Sequence, residues 1–570
     1  MKLFDRRFIR AAWDLTRAYW YSAEKWQARG LLAVIIALNL GYVYILVLLN
    51  EWNNRFYNAL QNMDKDVFFS ELGVFALLAA AYILVAVYQI YLRQMLEIKW
   101  RRWMTEHYLN DWLKDRVYYR LQIIDTGTDN PDQRISEDLR LFAAYTLKLS
   151  LGLLRALITL VSFIAILWRL SGEITIPAGP WQLVVPGYLV WAALGYALVG
   201  TWLTLKIGRP LVGLNFNQQR YEADFRFSLI RLRENSESIA FYGGERQEHR
   251  QFLDRFRSVF LNFRQLMNQQ KKLTWFTSGY FQIAIIFPYV VAGPRYFAGQ
   301  IHLGGLMQIA SAFGRVQEAL SFIVDTYPEL AEWRAVVNRL LGFVGHMETV
   351  RSGPAGGINV ARADTAALTV KSLNIDLPSG EPLLRSINLQ VEPGSSLLIT
   401  GASGCGKSTL LRSLAGLWPF GAGEVQLPRD RKIMFVPQRP YLPLGSLRDA
   451  LRYPGTEAVS DSLIRSAMVQ CKLEDFIPYL DKVDNWSHIL SLGEQQRIAF
   501  CRILLAQPHW LFLDEATSAL DEPTERQLYR LLQEKLPQTA IISIGHRNTL
   551  HSFHRGRLQL NPGGDWSLLS

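Results

Sequence analysis

Long apolar runs, separated by polar and strongly basic stretches, are the most regular feature of the first three-fifths of the chain. Leu31–Leu49 and Leu72–Leu92 hold no Asp, Glu, Lys or Arg over 19 and 21 residues. Each is long enough to cross a hydrocarbon core of about 30 Å as one helix. Leu183–Leu205 and Leu273–Pro294 are charge-free in the same way. Two further runs carry charge: Ala143–Trp168 contains Lys148 and Arg155, and Leu303–Tyr327 contains Arg315, Glu318 and Asp325. The pattern predicts six spans. Arg and Lys concentrate in the N-terminal segment and in the long connections after spans two and four, whereas the connections after spans one, three and five are short and poor in them. The positive-inside rule then places both termini in the cytoplasm. Long inner loops predict helices that run on beyond the membrane.

Within the first long loop, "TDNPDQRISED" predicts a helix start, with Asn130 as cap, Pro131 at the first helical position and Gln133 bonding back. In the second, "IRLRENSESIAFYGG" predicts a helix bearing Glu237, Ile239 and Phe241 or Tyr242. Gly243 and Gly244 stop it in left-handed conformation. The resulting tip reads either as a plain capped helix end or as a projecting coupling element. Lys148, near the inner end of its span, is expected to snorkel to the interface. Arg155, two turns deeper, is a candidate for a polar cavity. Arg315 and Glu318 are one turn apart, so they either pair structurally or line a polar path.

Past "GPAGG" the pattern changes to short alternating strands, Ala367–Val370 and Ser386–Val391, followed by "SSLLIT" and a glycine-rich turn. The chain thus divides into a membrane domain over residues 1–345, a linker over 346–366 and a soluble α/β domain over 367–570. Composition agrees: 50% hydrophobic and 19% charged is too apolar for a wholly soluble chain and too charged for a wholly membranous one. The first apolar run begins only near Leu31, after a basic amphipathic stretch, so no cleavable signal is expected. The net charge of +11 falls in membrane-flanking loops. No basic stripe with interleaved aromatics lies outside them, so nucleic acid is not an expected partner. Three cysteines cannot make a disulfide framework, and Cys405 lies in a phosphate-loop pattern, which favours a reducing, cytoplasmic setting.

That pattern, "GASGCGKST", matches G-x-x-x-x-G-K-[ST] between a strand and a helix. Backbone N–H groups of Gly401, Ser403, Gly404, Cys405, Gly406, Lys407, Ser408 and Thr409 would converge on phosphate oxygens at a helix N-terminus. Lys407 would reach the terminal phosphates and Ser408 would bind Mg²⁺. In "WLFLDEATSALD", a buried strand delivers Asp514 and Glu515 to its C-terminal edge. Asp514 would hold Mg²⁺ and Glu515 would act as base on the attacking water.

Between these motifs stand Gln438 in "FVPQRP" and "LSLGE", and after them Asp521 and His546. In this order the motifs resemble the ABC ATPases over about Val370–His546. The resemblance implies a head-to-tail pair of ATPase domains with two ATP molecules at their interface. Ser491, Gly493 and Glu494 of one subunit would face the nucleotide held by the other. Gln438 would sense Mg²⁺ and water, His546 would hold the γ-phosphate and water in register, and Asp521 would close the D-loop. Leu492 stands where the family has a glycine and Glu494 where it has glutamine; Leu492 is expected to restrict the backbone and slow closure. The aromatic that stacks on adenine is missing near Leu377.

Other stretches narrow the family. "GLWPFGAGEV", "VPQRPYLPLGSLRDALRYP" and "NSESIAFYGGERQE" look like the peroxisomal ABCD fatty-acyl transporters. "LNEWNNRFYNALQNMD" and "NPDQRISEDL" resemble the SbmA/BacA peptide-uptake proteins. Both kinds of likeness meet in the YddA-like group, in which such a membrane domain is fused to an ATPase, as in the mycobacterial BacA-like vitamin B12 transporter. The resemblance implies a six-span membrane domain of the type IV ABC exporter kind followed by the ATPase. It also implies a homodimeric half-transporter in a bacterial inner membrane, surrounded by lipid and moving peptides, cobalamin-like compounds or other hydrophilic or amphipathic cargo. Fatty acid or acyl-CoA transport, and a membrane-anchored regulatory ATPase, are the alternative expectations.

Overall fold

A computed structural model describes residues 6–124, 130–178, 181–352, 357–455 and 459–569. It falls into two compact units, one of residues 1–111 and 129–344 and the other of residues 112–128 and 345–570.

The first unit is helical. An amphipathic helix α1 (Arg6–Trp20) precedes α2 (Lys25–Gln61) and α3 (Lys65–Leu113). A turn leads to α4 (Val117–Ile124), which with its flanks groups with the second unit. A short α5 (Pro131–Gln133) and one π turn feed α6 (Leu139–Ser171). There follow α7 (Tyr188–Glu234), α8 (Ser236–Tyr242), α9 (Glu245–Phe297), α10 (Leu303–Asp325) and α11 (Tyr327–Ser352). Among the described residues five helices are long and apolar enough to cross a membrane by length and composition; the sixth expected span is the helix α10. At 1.5 Å per residue, the 49, 47 and 53 residues of α3, α7 and α9 run to roughly 70–80 Å, well over twice the hydrocarbon thickness. The expected extension beyond the membrane follows directly.

Four local expectations need correction. The fourth span starts at Tyr188 rather than Leu183, because strands β1 (Glu173–Ala178) and β2 (Trp181–Pro186) pair antiparallel and Pro186–Gly187 ends the hairpin. Asn130 supplies no side-chain cap, and the Gln133 amide donates to Glu137 at 3.1 Å instead of returning to the cap. The 346–366 segment is not all linker: α11 runs to Ser352 and a strand occupies Asn359–Ala363, while residues 353–356 of "GPAGG" lie outside the described residues. Lys148 does not simply snorkel, since its Nζ pairs with Glu329 at 2.5 Å.

The two motifs of the membrane part both tie helices together. Along one edge of α2, Asn50 donates to the Gln308 carbonyl at 3.0 Å, Asn54 to the Gln308 side chain at 2.7 Å, and Asn58 to Asn54 at 2.7 Å. Asn58 and Gln61 also accept from the first backbone N–H groups of α10, at Gly304 and Leu303. Gly304 permits this approach, since a Cβ there would stand 2.0 Å from the Asn54 carbonyl oxygen. In "NPDQRISEDL", buried Asp138 accepts from Arg134 and, bidentately, from Arg339 of α11 at 2.6 and 2.9 Å. A buried carboxylate is tolerated when its oxygens are this fully paired.

The second unit holds two sheets. One is β3 (Asn359–Ala363), β7 (Gly421–Pro428), β4 (Leu368–Asp376) and β5 (Pro382–Val391), in that order. The other runs β14 (Trp566–Leu569), β13 (Gly556–Leu560), β6 (Ser396–Gly401), β12 (Ala540–Ile544), β11 (Trp510–Asp514) and β8 (Ile433–Val436). Its central strands are parallel and nearly continuous in apolar residues, as a sheet covered on both faces requires. Helices α12 (Lys407–Leu414), α13 (Leu447–Arg452), α14 (Asp461–Gln470), α15 (Trp486–Ile489), α16 (Leu492–Ala506) and α17 (Glu522–Lys535) complete it, with a two-residue pair of β9 (Gly445–Ser446) and β10 (Val483–Asp484).

Candidate nucleotide site

Strand β6 ends at Gly401, and the turn to α12 is built on backbone that only glycine adopts easily: Gly401, Gly404 and Gly406 have φ of 149°, 82° and 95°. A Cβ at Gly401 would also stand 2.5 Å from the Leu560 carbonyl oxygen. The loop therefore wraps tightly, with Ser403 exposed and Cys405 buried against the core, so that Cys405 offers backbone rather than side chain. Lys407 Nζ donates to the carbonyls of Gly401 and Ala402, both at 2.9 Å, folding back over its own loop. Thr409 follows in the first turn of α12, where its carbonyl accepts from Ser413.

Four buried residues, Trp510–Leu513, carry Asp514 to the same edge, where Ser408 Oγ donates to Asp514 Oδ1 at 2.9 Å. Burial raises the Asp514 carboxyl above its ordinary range, with Glu515 adding to the rise and the Ser408 hydroxyl opposing it. Such a desolvated carboxylate beside a hydroxyl suits a hard divalent cation, which would supply the missing charge. Glu515 sits in left-handed backbone at φ 46° and its N–H donates to Ile544 O, which holds the carboxylate beside Gln438; the Gln438 amide donates to Glu515 Oε2 at 2.9 Å.

Ser408, Asp514, Glu515 and Gln438 thus come together as expected, but the remaining residues do not. His546 and Asp521 are exposed on loops, and no hydrogen bond joins either to that group among the described residues. Ser491 and Glu494 form a reciprocal cap at the start of α16: Ser491 Oγ and N–H both donate to Glu494 Oε2, at 2.7 and 2.8 Å. Glu494 therefore does a structural job that a glutamine would also do. Leu492 takes an ordinary helical position, which a leucine adopts without strain. Gly493 is the sensitive neighbour, since a Cβ there would press to 3.2 Å on the Ala519 carbonyl. Near Leu377, the indole Trp418 donates to the Asp376 carbonyl at 2.9 Å.

Three supports escaped the motif reading. Buried Gln496 donates to the Gln438 carbonyl at 3.0 Å and to Ser518 Oγ at 3.1 Å, and accepts from Ala519 N–H at 3.0 Å, clamping three segments of the site. The only signal was the doubled glutamine in "GEQQR". Arg547, next to His546, donates to the carbonyls of Leu520 and Ser518 at 2.6 and 3.0 Å. Buried Glu525 accepts from Thr517 at 2.6 Å and from Thr549.

Elsewhere, α8 ends at Gly243 in left-handed conformation (φ 62°), while Gly244 (φ −80°) instead opens α9. Glu237, Phe241 and Tyr242 are exposed there. Arg155 Nε donates to Asn39 Oδ1 at 3.2 Å, Gln89 donates to the same oxygen at 2.6 Å, and the Arg155 guanidinium lies 4.8 Å from the Tyr42 ring. Arg315 pairs with Glu318 at 3.0 Å on a largely exposed face.

The description "ABC transporter transmembrane region 2" matches residues 15–297, and "ABC transporter" matches residues 384–518. The inner membrane ABC transporter ATP-binding protein YddA of Escherichia coli is 35% identical over 94% of this chain and 94% of its own. The human lysosomal cobalamin transporter ABCD4 is 29% identical over 90% of this chain and 89% of its own. A bacterial Atm1-family ABC exporter solved with ATP bound shares the fold over 95% of both chains, with a TM-score of 0.74 at 18% identity. With a membrane domain fused to an ATP-binding ABC ATPase domain, the chain belongs to the ABC transporters as a half-transporter homologous to YddA and the ABCD proteins.

Proposed function

We propose that two copies of this chain form a homodimeric pump of a bacterial inner membrane, with the ATPase domains cytoplasmic. Its cargo is hydrophilic or amphipathic, of the peptide or cobalamin class, and the YddA and SbmA/BacA likeness is the closer guide to it. The observation that carries this reading is the polar cluster of Asn39, Gln89 and Arg155 joining the spans α2, α3 and α6, where Asn39 is fully buried. Polar groups at membrane depth cost free energy and are kept for a path or a partner. Kinship with a lysosomal cobalamin transporter supports the same class.

Lys407 and the backbone of Gly401–Thr409 would bind the ATP phosphates, and Ser408, Asp514 and Gln438 would hold Mg²⁺, which stabilises the charge that develops on phosphoryl transfer. Glu515 would take the proton of the attacking water, with His546 keeping it in register. Ser491 and Gly493 of the second copy would complete the phosphate site, and Asp521 would line the closure. The tip of Glu237, Phe241, Tyr242, Gly243 and Gly244 would carry closure to the spans, and Arg155, Arg315 and Glu318 would border the cargo path. ATPase activity measured against cobalamin, cationic peptides and acyl-CoA tests the cargo assignment. Stimulation by a polar compound that Arg155→Leu abolishes supports it, whereas stimulation by acyl-CoA alone overturns it.

A further inference from the structure

Spans α7 and α9 run antiparallel and leave a groove of about 540 Å³ between them. Tyr196, Gly200 and Leu203 line it from α7, and Trp275, Gly279 and Tyr280 from α9. Its walls are almost wholly apolar or aromatic, and Trp275 stands 79% exposed at its edge. The register of the two helices is fixed by Gly200 against the Tyr280 ring, Gly208 against Leu273, and the Gln269 amide donating to the Ile207 carbonyl at 2.5 Å. Carried one turn onward, that register brings Lys206 and Arg209 of α7 level with Lys271 and Lys272 of α9.

Lys206 and Lys272 continue the groove-lining stripes, with Arg209 and Lys271 beside them at the same depth. Lys206 is three residues past Leu203, and Lys272 is four before Phe276 and seven before Gly279, spacings that share the groove's face, while Arg209 and Lys271 lie to the side of it. Three residues of helix advance about 4.5 Å, so the first charges sit one turn below the apolar walls. All four are exposed, and among the described residues none has a carboxylate partner; Lys206 lies over the Trp202 ring at 5.1 Å. They also mark the points where the charge-free runs Leu183–Leu205 and Leu273–Pro294 end, which is where headgroups begin. Belt cations that merely anchor a span are free to lie on any face, whereas Lys206 and Lys272 continue the groove's own face on the two helices.

We propose that this groove is a binding site for an anionic phospholipid, with an acyl chain along Tyr196, Gly200, Gly279 and Tyr280 and the headgroup phosphate held by Lys206, Arg209, Lys271 and Lys272. Charge complementarity selects this occupant: a zwitterionic lipid fills the walls equally well but returns a positive charge to the cationic mouth.

The test uses the full chain in phosphatidylcholine nanodiscs with a stated fraction of phosphatidylglycerol, followed by native mass spectrometry of retained lipid and of subunit number. Wild type is expected to keep phosphatidylglycerol in preference to phosphatidylcholine. Each Lys→Gln or Arg→Gln change should lower that preference about fivefold, and the fourfold variant should erase it. Gly279→Leu fills the groove from a position where a Cβ meets nothing within 4 Å. It should release both lipids while the four charges remain. The proposal fails if Gly279→Leu retains phosphatidylglycerol as wild type does, for the charges then act only as a belt. It also fails if the fourfold variant keeps the preference, or if Gly279→Leu turns dimers into monomers, for a second copy then covers the groove.

Discussion

Asp514 shows how the nucleotide site sets activity against stability. Its carboxyl is raised chiefly by burial, so the folded chain holds that proton to higher pH than the unfolded chain does. Its contribution to stability is therefore present below the ordinary carboxylate range and is lost as pH rises through the raised value. Asp514→Asn, which resembles the protonated form, should raise Tm at neutral pH in Mg²⁺-free buffer while Mg²⁺-dependent ATP hydrolysis disappears; a lowered Tm would contradict this assignment of the penalty. Residues such as Lys407, Ser408 and Asp514 were legible in the sequence because phosphate and metal chemistry confine residue types to fixed spacings. Gln496 and Glu525 were not, because each acts through hydrogen bonds between segments distant in sequence, and no local spacing marks a buried glutamine as a clamp.

Among the elements, the spans were legible because a bilayer imposes both a length and an apolar composition. Their ends were less so: β-branched Val184 and Val185 read equally as apolar helix or as strand, and only pairing with β1 decides. Capping at Asn130 failed because its backbone is left-handed (φ 40°, ψ 73°) rather than in the extended form that an N-cap takes. The tip at α8 was read correctly at Gly243 and wrongly at Gly244, because one left-handed residue already turns the chain and Gly244 then begins the next helix. Forcing a Cβ onto the left-handed residue costs about 1–2 kcal/mol locally. Gly243→Val with Gly244→Val should therefore leave ATP binding intact and uncouple hydrolysis from transport, seen as retained ATPase activity with lost cargo movement. Normal transport in that variant would reduce α8 to a capped helix end. Within the ATPase unit, Arg116, in left-handed backbone before α4, donates to the Ala415 carbonyl at 2.8 Å, at the C-terminal cap of the phosphate-loop helix α12. Its guanidinium complements the negative end of that helix dipole.

For the whole molecule, the order of motifs carried the fold class, since a membrane part followed by a phosphate loop, signature and paired carboxylates leaves few architectures. Cargo was not legible to the same degree, because it depends on how side chains from several spans meet, as Asn39, Gln89 and Arg155 do. The central claim, that ATP hydrolysis at Glu515 moves cargo, is tested most directly by uptake of labelled cobalamin or peptide in proteoliposomes with wild type and Glu515→Gln. Wild type should accumulate cargo only with ATP and Mg²⁺. Glu515→Gln should still bind ATP while turnover and transport fall by about 10²–10⁴-fold, the usual contribution of a general base. Normal ATPase rates in that variant, or ATP hydrolysis by wild type with no ATP-dependent movement of any cargo in the panel, would contradict the account.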